Sequence, residues 1–399
     1  MSNTVQKLCP RHLLLIGVTL FSMFFGSGNL IFPSYIGYQA GTSAPFAFAG
    51  FALSAVVLPV LGVAAVARCG GLDRLCERVH PRFSQVFSII IYLCIGPMLA
   101  IPRTASTSYS MFTFLTDRLH GSFLGVPVPM LAQVLFSLLF FTAAAAAANR
   151  PERLKDLLGR HMTPVLLILI LILFAAGLLH PSLPAAAAAD GWNRQPFLKG
   201  FTEGYQTMDT MAAVVFGIII AINIRALGVE ENSSVVRETM RGGVIAGLFL
   251  CGVYGMLTFL GARSGSLVQG AQNGTEILTA LCREFFGGTG AVLLALIFFI
   301  ACFNVCVGLI CSCSRFFAEQ FPALSFRQWK LSITAWSFVV SILGLNLILA
   351  ISSPILSVIY PVAIAIILVN LLPFSVLKKS WLQRTIVLLA LAAGTASIW

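Results

Sequence analysis

Four consecutive residues, Gly26-Ser27-Gly28-Asn29, interrupt the apolar run from Leu13 to Gly37 near its midpoint. An ordinary bilayer-spanning helix would carry leucines there. Each glycine weakens a helix by about 1 kcal/mol relative to alanine. Non-helical backbone at membrane depth is tolerated only where protein buries it or where it lines a cavity. The stretch is therefore either a close helix crossing made by small residues or an unwound point that builds a site. If it is unwound, the N–H groups at the start of the second half-helix form a positive-ended socket for a carboxylate. The carbonyls from Ser22 to Phe25, at the end of the first half-helix, become free to coordinate a cation, and the amide oxygen of Asn29 adds a ligand. Glycine at 26 and 28 lets a ligand approach the backbone closely.

A second group has matching chemistry. Glu203-Gly204-Tyr205-Gln206-Thr207-Met208-Asp209-Thr210 opens another apolar run. Asp209 lies about one turn inside it. An acid at that depth usually faces the interior and is a site candidate by default; the alternative is a helix cap at the membrane boundary. Arg103 follows Pro97 and Pro102 and precedes the hydroxyl-rich run Thr104 to Tyr109. It pairs with Asp209, balances the carboxylate of a ligand, or snorkels to water from the end of its span. Tyr205, Thr207 and Met208 supply a mixture of amphipathic and apolar walls that suits an amino-acid side chain. Asn304 places an amide oxygen in one further polar segment.

The elements that must hold these groups are membrane helices. The chain of 399 residues is 58% hydrophobic and only 10% charged, against about 25% charged in soluble domains. This composition is that of an all-α, multi-pass integral membrane protein embedded in a lipid bilayer. With ~20 apolar residues needed per span, eleven segments emerge, at 12–38, 44–67, 83–113, 128–148, 162–180, 204–226, 242–262, 289–314, 331–350, 354–373 and 382–399. With the N-terminus inside, the inner loops and flanks carry 19 of the 25 Lys and Arg, an asymmetry that supports a cytoplasmic N-terminus. The net charge of +11 is spread over short loops, so it is membrane topology rather than a nucleic-acid surface.

Polarity is concentrated in segments one, three, six and eight. Segments one and six hold equivalent positions if the chain is a single membrane transport domain, residues 1–399, made of two five-span halves. The first repeat is then about 12–180, the second about 200–373, and 382–399 is an extra C-terminal helix. Interrupted segments at matching positions of two halves point to a secondary-transporter site, built from an inverted five-plus-five repeat with helices one and six broken.

Enzyme chemistry finds no support. No HExxH, GxSxG or Walker loop occurs, and the acids within spans are not paired at helical spacing. The ten cysteines fall mostly in apolar runs, where thiols pack as small hydrophobes. The five histidines, including His120 and His161, sit at segment ends. No cofactor is expected. Lys7, Arg11 and His12 before Leu13-Leu14-Leu15 have the look of a signal peptide, but apolar sequence resumes at once behind them.

At this point the letters resemble a known family. Phe21-Ser22-Met23-Phe24-Phe25-Gly26-Ser27-Gly28-Asn29-Leu30-Ile31-Phe32-Pro33 is similar to the first-helix signature of bacterial branched-chain amino acid symporters of the BrnQ type. Ala100-Ile101-Pro102-Arg103-Thr104-Ala105 and Glu203 to Asp209 resemble the third- and sixth-helix signatures, and Tyr254 with Phe259-Leu260-Gly261-Ala262 also fits. The resemblance implies the leucine-transporter fold and sodium-coupled import of leucine, isoleucine and valine across a bacterial inner membrane. It implies that Gly26, Gly28 and Asn29, with Ser27 between them, hold the substrate's carboxylate and amine and help bind sodium, with Thr207 as a hydroxyl at the sixth-helix break.

Two departures from the family pattern stand out. Where that family has adjacent hydroxyls in helix eight, this chain reads Asn304-Val305-Cys306, which leaves sodium against proton coupling open. The family typically has twelve spans where eleven are read here, the difference lying outside the ten-span core.

The resulting expectation is a cation-coupled secondary importer of branched-chain amino acids (leucine, isoleucine and valine, with methionine as a further candidate) that works by alternating access. Sodium is its expected ion, with ligands from Ser22, Phe25, Asn29, Thr207 and Asn304. The alternatives are a membrane receptor that binds an amino acid without moving it and a proton-coupled transporter of other apolar amino acids. A channel would be expected to show rings of repeated charge, and none is visible. Oligomeric state is left open.

Overall fold

The computed structural model of the chain describes residues 7–113, 122–123, 125–149, 162–180, 184–372 and 379–396. His120 and His161, with the basic residues Arg118, Arg150, Arg153, Lys155, Arg160 and Lys378, lie outside them. The described chain is almost entirely helical, apart from loops and a two-residue antiparallel ladder of Ser122–Phe123 with Val126–Pro127. Seven of its helical stretches are long and apolar enough to cross a membrane, and Pro10–Phe24 and Thr163–Leu179 are shorter apolar helices.

Three apolar segments are interrupted, and each interruption has a local cause. The first segment is two helices, Pro10–Phe24 and Ser27–Ala40, joined by Phe25 and Gly26 in extended backbone. The third passes from Pro81–Leu93 through a widened turn, Cys94–Met98, into Ala100–Phe112. Gly96 leaves helical geometry there (φ −94°, ψ −124°), just before Pro97. The sixth is Pro196–Glu203, a tight turn Gly204–Thr207, and Asp209–Ala226. Met208 joins the turn to the second half at φ 62°, the one non-glycine residue with positive φ among the described residues. Such a conformation costs about 1–3 kcal/mol and persists where its surroundings over-determine it.

Several boundaries differ from the sequence expectation. The sixth segment begins at Pro196 rather than 204, because Lys199 and Glu203 give a membrane half-helix the look of a loop. The break between segments nine and ten falls after Ser341, between Phe326–Ser341 and Leu345–Leu371. Gly344 at φ 84° interrupts the chain there, whereas Pro354 is absorbed inside the second helix, as proline is in membrane bundles. Segments seven and eight run on as Asn232–Ala262 and Gly288–Gln320, their charged ends continuing the helix past the apolar stretch. The loop between them forms a helix, Gly274–Phe286, capped by Asn273 Oδ1, which accepts from Thr275 N (2.9 Å) and Glu276 N (3.3 Å).

Packing divides the bundle into two groups. Ser27–Ala40 and Pro10–Phe24 lie against Asn232–Ala262, Pro196–Glu203 against Ala44–Ala52, and Asp209–Ala226 against Leu58–Cys69. Ala100–Phe112, Val128–Ala147, Gly288–Gln320 and Phe326–Ser341 form the other group. Helix contact in a bilayer depends on close approach rather than on water exclusion, so small residues gather at such crossings. A Cβ built on Gly37 would lie 2.1 Å from Thr258 O, and one on Gly261 would lie 2.0 Å from Ser34 O. Gly50 and Gly200 meet Phe197 O (2.0 Å) and Ala47 O (1.9 Å) in the same reciprocal way. These crossings clamp one half of each broken segment, Ser27–Ala40 and Pro196–Glu203, to its neighbours.

Candidate functional site

The two main breaks meet. A Cβ on Gly28 would lie 3.2 Å from Thr207 Cα and 3.3 Å from Gln206 O, so the backbones of the first and sixth segments touch at their unwound points. Gly26 N–H, which a continuous helix would direct to Ser22 O, donates instead to Asn29 Oδ1 (2.8 Å). The break thereby releases carbonyls at the end of Pro10–Phe24, and the first-turn N–H groups of Ser27 and Gly28 have no intrahelical acceptor.

Asn29, Asp209 and Tyr254 form a buried polar cluster around this junction. Asn29 Nδ2 donates to Asp209 Oδ2 (2.7 Å) and to the Tyr254 hydroxyl, and that hydroxyl donates to the same carboxylate oxygen (2.7 Å). Asp209 N in turn donates to Thr207 Oγ1 (3.4 Å). Asp209 is 1% exposed and Tyr254 fully buried. Asp209 is the first residue of its half-helix, but the cap position is Met208 and no side chain caps that end, so of the two readings from sequence the interior acid holds and the boundary cap does not. The amide oxygen of Asn29, expected to face a cation, is turned to the Gly26 backbone.

Arg103 completes the junction from the third segment. It is 3% exposed, which rules out snorkelling. No carboxylate oxygen lies within 4.0 Å of it among the described residues, which rules out direct pairing with Asp209. Its Nη1 donates to Gln206 O (2.7 Å), its guanidinium lies over the Phe32 ring at 5.7 Å, and its Nε has no hydrogen-bond partner. Nη2 sits 2.8 Å from the Cβ position of Gly28, beside the N-terminus of Ser27–Ala40. A buried cation and a helix N-terminus therefore converge on one point, and an anion there would satisfy both.

A cavity of about 30 Å³ opens at this point, lined by Gly26 to Asn29, Arg103, Thr207, Met208 and Asp209 on its polar side. Met23, Ile95, Val305 and Leu309 supply an apolar side. This volume holds about two waters and is too small for an aliphatic amino acid. A larger cavity of about 1280 Å³ lies toward helix Gly274–Phe286, with Ser106, one turn from Arg103, among its lining residues.

The sequence-derived candidates divide accordingly. Gly26, Ser27, Gly28, Asn29, Arg103, Thr207, Met208 and Asp209 all border the cavity. Tyr205 does not: the tight turn aims its ring at Tyr360, stacked at 4.5 Å, and at Phe201. Phe25 stacks on Phe21 at 5.0 Å, and Ser22 Oγ is buried without a partner among the described residues. Asn304 Oδ1 is likewise buried and unpartnered, off the cavity. In the eighth segment the residue against the break is Val305, whose Cγ2 lies 3.1 Å from the Cβ position of Gly26. Tyr254 was the main residue not singled out for chemistry, although one tyrosine amid apolar residues was a signal available in the sequence.

Two broken helices meeting at buried polar groups inside a helical membrane bundle define a class of architecture, the leucine-transporter fold. The structure of Mhp1, a nucleobase-cation-symport-1 family transporter with bromovinylhydantoin bound, superposes with a TM-score of 0.64 over 96% of this chain and 90% of that one, at 14% identity. MhsT in complex with L-phenylalanine gives 0.61 over 98% and 100%, also at 14% identity. Within that class the family is specific: the model of the branched-chain amino acid transport protein family matches residues 10–398, and the chain belongs to that family. The branched-chain amino acid permease BraB of Bacillus subtilis is 36% identical over 98% of this chain and 85% of its own length. Escherichia coli BrnQ is 37% identical over 92% and 81%. The branched-chain amino acid transport system 2 carrier protein of Pseudomonas aeruginosa is 38% identical over 90% and 80%. These relatives are named as permeases and carriers, not enzymes.

Proposed function

We propose that this protein imports leucine, isoleucine and valine, and methionine as a further substrate, across a bacterial inner membrane by cation-coupled alternating access, with its N-terminus in the cytoplasm. The observation that carries the reading is the buried Arg103 guanidinium, without a carboxylate partner among the described residues, facing the Ser27-Gly28 helix N-terminus beside a cavity with an apolar wall. The substrate carboxylate would take Arg103 and the backbone N–H groups. Its amine would take the released carbonyls near Ser22 to Phe25, and its side chain would lie among Met23, Ile95, Met208, Val305 and Leu309. Substrates are thus limited to small apolar side chains by the wall and to zwitterions by the two helix ends.

The moving unit in this reading is the group containing both broken segments, and it rocks against the scaffold of segments three, four, eight and nine. The two five-span halves, about 12–180 and 200–373, would be inverted repeats, with 382–399 appended. Asp209, held by Asn29 and Tyr254, is the seat of coupling. The ion in the first reading is sodium, bound by the backbone carbonyls of the first break with Thr207. A proton is the second reading, favoured by Val305, which offers no side-chain oxygen where helix eight meets Gly26.

The test is uptake of labelled leucine into proteoliposomes under imposed sodium or proton gradients. Concentrative uptake driven by one gradient identifies the ion. Saturable binding without uptake under either gradient would replace the transporter by a receptor.

A further inference from the structure

At the opposite end of the bundle from helix Gly274–Phe286, a cleft of about 350 Å³ lies where Leu58–Cys69 and Leu345–Leu371 end. Arg68, Arg74 and Arg78 line it with a single acid, Glu77. None of the three arginines makes an ion pair among the described residues. Arg68 spends one N–H on Leu371 O (3.3 Å). Arg74 is folded back over Gly70, its Nη1 3.2 Å from that residue's Cβ position.

The wall opposite is Asn370, 7% exposed. Its Nδ2 donates to Leu75 O (3.1 Å) and Ile366 O (3.0 Å), and its Oδ1 is buried without a donor among the described residues. The cleft therefore offers three cationic donors beside a wall that holds one buried, orphaned acceptor. A phosphodiester that also carries a hydroxyl matches both. The rim continues along the last turn of Leu345–Leu371 onto Leu368 and Leu372, which are 37% and 42% exposed. Exposed leucines beside a charged cleft would seat acyl chains, which a free phosphate lacks.

We infer that this cleft binds the headgroup of an anionic phospholipid, of which phosphatidylglycerol is the simplest with a hydroxyl donor. Basic clefts between helices at the cytoplasmic face are suited to such headgroups. Assignment to the inner leaflet rests on the N-inside orientation proposed above, whereas the binding itself does not. The lipid would tie the end of a helix of the moving group, Leu58–Cys69, to Leu345–Leu371 and so bias its tilt.

The experiment uses the purified full chain in micelles, with lipid retention read by native mass spectrometry. The wild-type chain should retain phosphatidylglycerol in preference to phosphatidylcholine of the same acyl chains. The double variant Arg74→Gln/Arg78→Gln should bind phosphatidylglycerol about 30-fold more weakly, the loss expected for two arginines at a lipid headgroup. Asn370→Leu should lower retention of phosphatidylglycerol but not of phosphatidic acid, which has no headgroup hydroxyl beyond its phosphate. Because both arginines are exposed, the double variant should keep its Tm, which separates lost binding from lost folding. Equal retention of the two lipids by the wild-type chain, or equal retention by wild type and double variant, overturns the site. Displacement of lipid by millimolar inorganic phosphate, with no preference among lipids, overturns the lipid and leaves free phosphate as the occupant. None of these readouts depends on leucine uptake, so failure here is distinguishable from failure of the transport reading.

Discussion

Replacing Arg103 by glutamine tests the binding reading most directly, because binding and stability should respond differently. The guanidinium is 3% exposed, with a neutral hydrogen bond to Gln206 O at 2.7 Å and no carboxylate within 4.0 Å among the described residues. Such a cation is costly to bury, and a glutamine amide can keep the bond to Gln206 O, so Arg103→Gln should leave the Tm of the free protein unchanged or raise it. With Nη1 committed to Gln206, Nη2 and Nε remain for the substrate carboxylate. Two charge-assisted hydrogen bonds at the lower value of ~1.5 kcal/mol each amount to about 3 kcal/mol, or about 150-fold in Kd. Leucine binding by isothermal titration and the leucine-induced rise in Tm measure both sides. A Kd within about threefold of wild type, or a steep fall in the Tm of the free protein, would refute the assignment and make Arg103 a structural residue.

Further expectations follow from the same geometry. Gly26→Leu should abolish leucine binding while leaving the protein inserted and folded, since the new side chain fills the cavity toward Val305, 3.1 Å from its Cβ; binding assay and size-exclusion profile together check this. Gly37→Ala, by contrast, drives a methyl to 2.1 Å from Thr258 O at a packed crossing and should lower Tm and yield in a way that leucine does not rescue. Asp209→Asn should change the ion or pH dependence of uptake more than the ranking of leucine, valine and methionine; an unaltered ion profile removes Asp209 from coupling. Tyr254→Phe takes away a donor to Asp209 and an acceptor from Asn29; a loss of about 1–3 kcal/mol of stability should appear in thermal melts, together with a weaker response to the coupling ion.

The membrane class, the broken first and sixth segments and half of the cavity's lining residues were legible in the sequence alone. Each of those signals is local. Apolar runs have a length set by the bilayer, and glycine, proline and buried charge within such a run contradict a plain helix wherever the chain goes next. Gly26 to Asn29 and Glu203 to Asp209 announced themselves in this way. The helix Pro196–Glu203 and the turn at Gly344 were misplaced because charge and proline mimic boundaries in a linear reading. Only the tertiary structure decided what the polar groups do to one another, because Arg103, Asp209, Tyr254 and Val305 come from four different segments. Packing brings the two breaks so close that a Cβ on Gly28 would lie 3.2 Å from Thr207 Cα, and gives Asp209 to Asn29 and Tyr254 rather than to Arg103. The same packing turns Val305, not Asn304, toward Gly26. A helix shows one face at each level of the bundle, and which face meets the break is set by rotation against neighbours, which no single segment encodes.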